Sequence, residues 1–312
     1  MNDHRPANTR LAIVVCMAVA VRIAASIAFA PERFDADQYQ AIASTLVEHH
    51  VYATFPQHPT AFRPPLYPMT LALLGPTGDW AKVRIITFHM VLTVLTVVLT
   101  FRLAQRMGAP PTVAAAIVAL DPILIRQSTF AMTESLAAFL AIAGVSSLVR
   151  LHEKPRWTKG LFSGILIGLA FLCRPTFLIW GGLVVGALSL QCVRQSSLRS
   201  TTLMFMLGFA AMMGPWVVRN AIVMGHPIIA TTHGGYTLWL GNNPDFYEHL
   251  RTRGPAVPWD SAELDGRFWK LSKLHKGDER RIDRECYARA RAAIHADPTG
   301  FANAVVIRVA RL

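Results

Sequence analysis

Long apolar segments without charged residues constrain this chain more than any other feature. Crossing the hydrocarbon of a bilayer takes about 20 residues of helix, and several segments approach that length. Lys and Arg lie mostly in the short loops between them, and the region after residue 245 is crowded with charge. The candidate spans cover 11–30, 84–101, 112–127, 132–149, 160–173, 175–190 and 201–218. The pattern predicts an all-α membrane protein with about seven transmembrane helices.

The composition agrees with a membrane protein. Of 312 residues, 53% are hydrophobic and 16% are charged, whereas about 25% of a typical soluble domain is charged. The net charge of +12 comes largely from loops in which the positive-inside rule accounts for Lys and Arg. We therefore predict no nucleic-acid partner. The four cysteines show neither metal nor redox spacing, so no cofactor is certain and a divalent metal stays open.

Basic residues predict the orientation of the spans. A single helix over 160–190 would be about 46 Å long, too long for a core of about 30 Å, and Arg174-Pro175 marks a break within it. The cytoplasmic positions are then Arg5, Arg10, Arg102, Arg106, Arg150, Lys154, Arg156, Lys159, Arg194 and Arg199. We predict a transmembrane module over 1–220, with an outer loop at 31–83, and an extracytoplasmic segment over 221–312.

The first outer loop is predicted to contain two short helices. Over 37–49, apolar residues recur on one helical face, which is typical of a helix lying in the membrane interface. Those residues are Tyr39, Ile42, Ala43, Leu46 and Val47. The segment 66–74 is apolar but too short to cross, and we interpret it as an interfacial or re-entrant half-helix.

Two polar positions in this loop suggest chemistry. Asp35 and Asp37 begin the interfacial helix, where a carboxylate is also favoured simply as a helix cap. Two prolines hold Arg63 in an extended segment just before the half-helix. Its guanidinium suits a phosphate oxygen, because it makes paired charge-assisted hydrogen bonds. The alternative is an arginine that reaches any lipid headgroup.

The order of the motifs resembles the GT-C superfamily of integral membrane glycosyltransferases. The similarity is closest to protein O-mannosyltransferases, lipid A aminoarabinose transferases and their bacterial relatives, and it covers about residues 11–250. It depends first on Asp35-Ala36-Asp37-Gln38-Tyr39 and Arg63-Pro64-Pro65-Leu66-Tyr67-Pro68. Further matches are Thr133-Glu134-Ser135, Arg174-Pro175, Pro215-Trp216, Arg219-Asn220 and Gly241-Asn242-Asn243-Pro244.

The resemblance implies roles at matched positions. Asp35 corresponds to the catalytic aspartate, Arg63 to the basic residue that holds the carrier phosphate, and Arg174 to a basic residue that assists it. The other candidate substrate-binding residues follow from motif or position: Asp37, Tyr39, Tyr67, Glu134, Arg219, Asn220 and Asn242. Glu134 could equally be a helix-terminal charge and Asn242 part of a turn. Many relatives carry a second acid directly after the first, whereas position 36 is Ala here.

The function implied is transfer of a sugar, with inversion, from a polyprenyl-phosphate donor to a lipid, glycan or protein acceptor. The expected location is the outer face of a membrane, most simply a bacterial inner membrane, with the bilayer and the lipid-linked donor as partners. A transporter and a non-catalytic assembly subunit are the alternatives. Relatives continue through several more spans, so a C-terminal truncation at Leu312 is one expectation.

Overall fold

The polypeptide is built almost entirely of helices. The computed structural model describes residues 4–29 and 34–310, and the predicted end of the first span at Ala30, the loop residues 31–33 and Leu312 lie outside them. The first ten helices are α1 His4–Ala28, α2 Tyr39–His49, α3 Leu66–Leu74, α4 Ala81–Arg106, α5 Pro111–Leu120, α6 Pro122–Gln127, α7 Glu134–Glu153, α8 Trp157–Cys173, α9 Phe177–Arg194 and α10 Arg199–Val223. A 3₁₀ turn covers Ser196–Leu198.

Five more helices follow: α11 Gly234–Gly241, α12 Pro244–Thr252, α13 Ala262–Leu274, α14 Glu279–Ala296 and α15 Pro298–Ala310. A small antiparallel hairpin, β1 Ala53–Phe55 and β2 His58–Pro59, interrupts the loop between α2 and α3. Contacts divide the chain into two compact units. The first unit comprises Met1–Pro59 and Pro64–Ala230, and the second comprises Thr60–Arg63 and Thr231–Leu312.

Helix length and apolarity agree with an all-α membrane fold. In the described part of the chain, four stretches are long and apolar enough to cross a bilayer: Ala7–Ala28, Ala81–Arg106, Glu134–Glu153 and Ser196–Val223. The shorter apolar helices Pro111–Leu120, Trp157–Cys173 and Phe177–Val193 lie at the other predicted spans. Large apolar side chains such as Ile179, Leu183 and Leu190 are exposed on α9, as expected of a lipid-facing surface. The number of spans and their sidedness stay predictions.

The predicted continuous helix over 112–127 is wrong. The chain forms α5 and α6 instead, with Asp121 in an extended conformation between them. Pro122 disfavours helical geometry at the residue before it and supplies no N–H to continue the ladder. The Asp121 side chain accepts a hydrogen bond from the Leu124 N–H at 2.8 Å and so caps the new helix.

The break predicted at Arg174-Pro175 is confirmed. Helix α8 ends at Cys173, Arg174 is extended (φ −143°, ψ 125°), and α9 begins at Phe177. The Arg174 N–H still bonds the Ala170 carbonyl at 2.9 Å. The break therefore leaves the Arg174 side chain at the very end of α8.

Glycines allow α8 and α10 to pack with their backbones in close approach. Gly160, Gly164 and Gly168 recur every four residues along α8 and form one stripe. A Cβ on Gly164 would lie 2.1 Å from the Phe205 carbonyl oxygen, and one on Gly160 would lie 2.3 Å from that of Thr201. Any larger side chain would force the two helices apart.

Helices α2 and α3 form where the sequence predicts them and pack into the core of the first unit. Pro64 and Pro65 precede α3, and α2 ends at His49, followed by His50 with a positive φ of 58°. The core around them includes Tyr39, Ala43, Tyr67, Leu71, Ile85, Ala137, Leu140 and Ala170. Val47, predicted on the apolar face of α2, is 45% exposed, because the face that packs ends at Thr45.

The second unit has its own apolar core. Trp239 of α11, Leu264 and Leu271 of α13, and Ile282 and Cys286 of α14 form its centre. Gly235 lets α11 approach α14, because an added Cβ would lie 2.1 Å from the Asp283 carbonyl oxygen. The Gly235 N–H also donates to the Asp283 carboxylate at 2.6 Å.

Candidate functional site

Asp35 is held by the start of α2. Its two carboxylate oxygens accept hydrogen bonds from the backbone N–H groups of Gln40 at 3.0 Å and Ala41 at 2.9 Å. Gln38, in the left-handed region with φ 64°, turns the chain so that Asp35 faces the helix end. The helix-cap alternative is therefore realised in the structure. Each carboxylate oxygen accepts more than one hydrogen bond, so capping leaves capacity for a proton.

Burial raises the pKa of Asp35 above that of an ordinary carboxyl group. Hydrogen bonds from the backbone N–H groups oppose this effect, and the negative charge of Asp37 raises the pKa further. A carboxylate with a raised pKa binds a proton more readily and is a better general base. Asp37 thus contributes to the electrostatics of Asp35 even though it lies two residues away.

Tyr39 and Tyr67 are buried beside one another. Their rings meet edge to face with centroids 5.3 Å apart. The Tyr67 hydroxyl lies 2.8 Å from Nε2 of His89, and Nδ1 of His89 lies 3.1 Å from the Ser128 carbonyl oxygen. A carbonyl only accepts, so Nδ1 carries the proton and the Tyr67 hydroxyl donates to Nε2. Tyr67 is fully buried, and its place favours support of the site over contact with a substrate.

Glu134 and Arg174 form an ion pair where α7 begins and α8 ends. Arg174 Nη1 lies 2.7 Å from Oε1 of Glu134, and it also donates to the Thr133 hydroxyl at 3.4 Å. The Arg174 side chain is 41% exposed, so part of its guanidinium faces outward. Within the described chain, Oε2 of Glu134 is buried and has no hydrogen-bond partner. A buried carboxylate oxygen is costly when unsatisfied, which makes it a candidate contact for a ligand donor.

These side chains belong to one neighbourhood of the first unit. The Asp35 and Glu134 carboxylates both interact electrostatically with the Tyr67 hydroxyl. The Tyr39 hydroxyl interacts in the same way with Tyr67 and with Arg174. The ends of α2, α3, α7 and α8 therefore bring together two carboxylates, an arginine and two tyrosines that were predicted from separate motifs.

Arg219 and Asn220 form another cluster of the first unit, at the end of α10. The Arg219 guanidinium lies over the rings of Tyr52 and Trp216, at 5.4 and 5.3 Å. It donates to the Tyr52 carbonyl at 3.1 Å and to the Asn220 side chain at 2.9 Å. The Asn220 amide in turn donates to the Ile228 carbonyl at 2.9 Å. This arrangement ties the turn after α10 to the segment before β1.

Arg63 belongs to the second unit. Its guanidinium lies 5.2 Å from the centroid of the Phe62 ring. Burial and, to a smaller extent, the positive charge of Arg63 together lower the pKa of His233 to about 3. His233 therefore stays neutral beside Arg63 at physiological pH.

Asn242 also lies in the second unit and is buried. Its amide donates to the Leu238 carbonyl at 2.8 Å, and its oxygen accepts from the Tyr247 hydroxyl at 3.2 Å. Both ends of the side chain are used within the turn between α11 and α12. The geometry favours the turn alternative for this residue.

Comparison with protein-family models decides between the interpretations of the sequence. Residues 12–194, more than half of the chain, match the family described as dolichyl-phosphate-mannose-protein mannosyltransferase. The chain belongs to this family. It is a GT-C family, so the predicted resemblance is confirmed. No curated protein matches the chain.

Membership of the mannosyltransferase family defines the reaction class. The protein is a membrane glycosyltransferase that uses a polyprenyl-phosphate sugar donor. This finding favours the enzyme over the transporter and the assembly subunit. The match includes Asp35, Arg63, Glu134 and Arg174, and the cluster around Arg219 lies beyond it.

Two further residues, one in each compact unit, were not predicted from the sequence. His89 lies within a candidate span, Ala81–Arg106, and an ionisable residue inside such an apolar helix is itself a signal of function or structure. Glu279, described below, carries no comparable signal, because two of its hydrogen-bond donors, Thr60 and Ala61, are more than 200 residues away in the sequence. Among the described residues, no group of three or more His, Cys, Asp or Glu side chains could hold a metal ion.

Proposed function

We propose that this protein transfers a sugar from a polyprenyl-phosphate carrier to an acceptor hydroxyl, with Asp35 as the general base. The family is described by mannose as the sugar and protein as the acceptor. Polyprenyl-phosphate mannose is therefore the first donor to assay, with protein, glycan and lipid acceptors compared. The donor enters from the bilayer and carries its phosphate at the membrane surface.

The proposed step balances as a single displacement. The acceptor oxygen forms a bond to the anomeric carbon while its proton moves to the Asp35 carboxylate. The bond from the anomeric carbon to the phosphate oxygen breaks, and its electron pair leaves with polyprenyl phosphate. Attack opposite to the leaving group inverts the anomeric centre. The negative charge that grows on the phosphate needs a cation where it develops.

The observation that carries the assignment is the environment of Asp35 within the matched family region. Its carboxylate is fixed by two backbone N–H groups, and burial raises its pKa. Both properties suit a base that must be positioned before the acceptor arrives. The neighbouring Glu134–Arg174 ion pair supports the assignment, because the donor phosphate is also a charged group.

The phosphate is assigned to arginine. We propose that Arg63 binds it, as the motif before the two prolines implies, because a guanidinium pairs with two phosphate oxygens at once. Arg174 is proposed as an assisting cation, oriented by Glu134 at 2.7 Å. Arg219, Asn220 and Asn242 are proposed only as supports of the fold around the site.

The active site is proposed to face the extracytoplasmic side, in a bacterial inner membrane. Seven spans, an outward loop at 31–83 and an outward segment after Arg219 satisfy the distribution of Lys and Arg. Single cysteines placed at Pro155 and Asp260 test this arrangement with a membrane-impermeant reagent. Labelling of both positions from the same side would contradict it.

The test of the base is Asp35→Asn in full-length protein at equal membrane expression. We expect the rate of sugar transfer to fall by a factor of roughly 10²–10⁴. The amide retains one oxygen for the helix end, so α2 keeps part of its cap. Asp121→Asn is the matched control, because Asp121 also caps a helix of the first unit and has no proposed chemical role.

The outcomes distinguish a general-base role of Asp35 from a role only in capping α2. A large loss in Asp35→Asn with near-normal transfer in Asp121→Asn supports the assignment. Full activity in Asp35→Asn removes Asp35 from the reaction. Loss of transfer only in Asp37→Asn would move the base by two residues.

A further inference from the structure

The loop that carries Arg63 is tied to α14 by a single carboxylate. Glu279, the first residue of α14, accepts a hydrogen bond from the Thr60 hydroxyl through Oε1. Its other oxygen, Oε2, accepts from the Ala61 N–H at 2.9 Å and from the Thr232 hydroxyl at 2.7 Å. All four residues lie in the second unit. One side chain thus gathers three donors from two distant segments.

Further contacts complete the same connection. The Thr60 hydroxyl oxygen accepts from the Phe62 N–H at 2.9 Å, and the Thr232 N–H donates to the Ala61 carbonyl at 3.1 Å. The Phe62 ring packs edge to face on His233 with centroids 4.3 Å apart. The three residues immediately before Arg63 are therefore fixed at the backbone or at the side chain.

The charge of Glu279 strengthens this connection. Hydrogen bonds to an ionised carboxylate are about twice as strong as those between neutral groups. A negative charge at the first residue of a helix is also favoured by the helix dipole. The carboxylate is half-buried, which protects its hydrogen bonds from competition by water.

We propose that Glu279 is a positioning residue for Arg63. By fixing Thr60 and Ala61, it holds the short segment from which the guanidinium projects, so that Arg63 is ordered before the donor phosphate arrives. Glu279 touches neither donor nor acceptor in this role. Because it acts through Arg63, the inference rests on the proposed phosphate-binding function of that residue. It also gives the region beyond the family match a part in donor binding.

The informative variant is Glu279→Gln. Glutamine keeps the size of the side chain but loses the negative charge and offers one acceptor oxygen, so it cannot accept from Thr60, Ala61 and Thr232 at once. We expect the KM for the polyprenyl-phosphate donor to rise about tenfold or more, as for loss of hydrogen bonds to a charged group, while kcat changes less. Glu279→Asp keeps the charge and should restore part of the loss.

Glu263→Gln provides the matched control. Glu263 also lies in the first turn of a helix of the second unit, but it pairs with Arg267 of its own helix, four residues on, and its side chain is 80% exposed. An exposed pair of this kind contributes little. The control should leave the donor KM and the yield of folded protein unchanged. If the donor KM rises in both variants, the cause is the loss of one negative charge from the second unit and not the position of Glu279, and the proposal is overturned.

A double-mutant cycle with Arg63→Ala separates positioning from general stability. If Glu279 acts through Arg63, Glu279→Gln should add little to the donor KM of Arg63→Ala. Additive effects, or an unchanged donor KM in Glu279→Gln alone, would overturn the proposal. If Glu279→Gln does not fold, Thr60→Val, which removes one donor to the same carboxylate, takes its place in the cycle with the same expectation.

Hydrogen exchange at Ala61 supplies a readout that does not depend on catalysis. In the full chain, Glu279→Gln should raise the exchange rate of the Ala61 amide while the amides of α14 stay protected. Unchanged protection at Ala61 would show that Glu279 does not hold this segment, and it would overturn the proposal. If protection is lost but Arg63→Ala leaves the donor KM unchanged, the failure lies in the proposed function of Arg63, and the positioning role falls with it.

Discussion

At the scale of single residues, Asp35 combines two properties that the sequence presents as alternatives. A capping carboxylate normally has a lowered pKa, because backbone N–H groups stabilise its charged form. Here burial is the largest influence, and the pKa is raised. The same hydrogen bonds that cap α2 also fix the direction of the carboxylate. Capping is thus compatible with a base that is already oriented.

The raised pKa of Asp35 leads to a pH prediction. Asp35 must be ionised to accept a proton, so kcat/KM should fall as the pH drops through its pKa, at a higher pH than an ordinary carboxyl group would give. Asp37→Asn removes a negative charge that raises this pKa. The acid limb of the profile should therefore move to lower pH in that variant. A limb that stays in place or moves upward would contradict the electrostatic role of Asp37.

His233 leads to a prediction for the pH dependence of stability. Burial and Arg63 lower its pKa to about 3 in the folded state, whereas an unperturbed histidine has a pKa of about 6.5. The unfolded state then binds the proton more readily, so stability is lost as the pH falls below 6.5. The loss should reach about 1 kcal/mol near pH 5.5. His233→Phe should flatten this dependence in thermal unfolding, and an unaltered dependence would exclude His233 as its source.

At the scale of elements, the helix ends that could be predicted are those marked by proline in the local sequence. The bounds of α3 follow from the two prolines before it, and the break between α8 and α9 follows from Arg174-Pro175. Length and apolarity alone predict one helix over 112–127, and Pro122 inside the run is the local signal that divides it into α5 and α6. The extent of the packed face of α2 depends on tertiary neighbours, which is why Val47 could not be placed from periodicity alone.

The glycine stripe on α8 allows a direct test at this scale. Gly164→Ala should destabilise the protein by about 1–3 kcal/mol, the usual cost of overpacking, because the new Cβ would meet the Phe205 carbonyl oxygen at 2.1 Å. Gly182→Ala on α9 is the control, since an added Cβ there has nothing within 4 Å. Thermal unfolding in detergent compares the two. Equal midpoints would mean that the close approach of α8 and α10 is not required.

At the scale of the whole molecule, the candidate residues divide between the two compact units. Asp35, Glu134 and Arg174 belong to the first, and Arg63 belongs to the second. The motifs that identify the family could be recognised locally, because each extends over a few residues. The hydrogen bond between Glu279 and Thr60 could not be predicted from the sequence, because the two residues are 219 positions apart and no local pattern connects them. Residues beyond the family match therefore enter the proposed chemistry through the fold alone.

The most direct measurement is the donor preference of the full-length protein in membranes. Polyprenyl-phosphate mannose and the corresponding nucleotide sugar are offered in parallel, and the anomeric configuration of the product is determined. We expect transfer from the polyprenyl-phosphate donor, with inversion, and none from the nucleotide sugar when carrier synthesis is blocked. Transfer from the nucleotide sugar alone, or a product that retains the configuration of the donor, would contradict a single displacement assisted by Asp35.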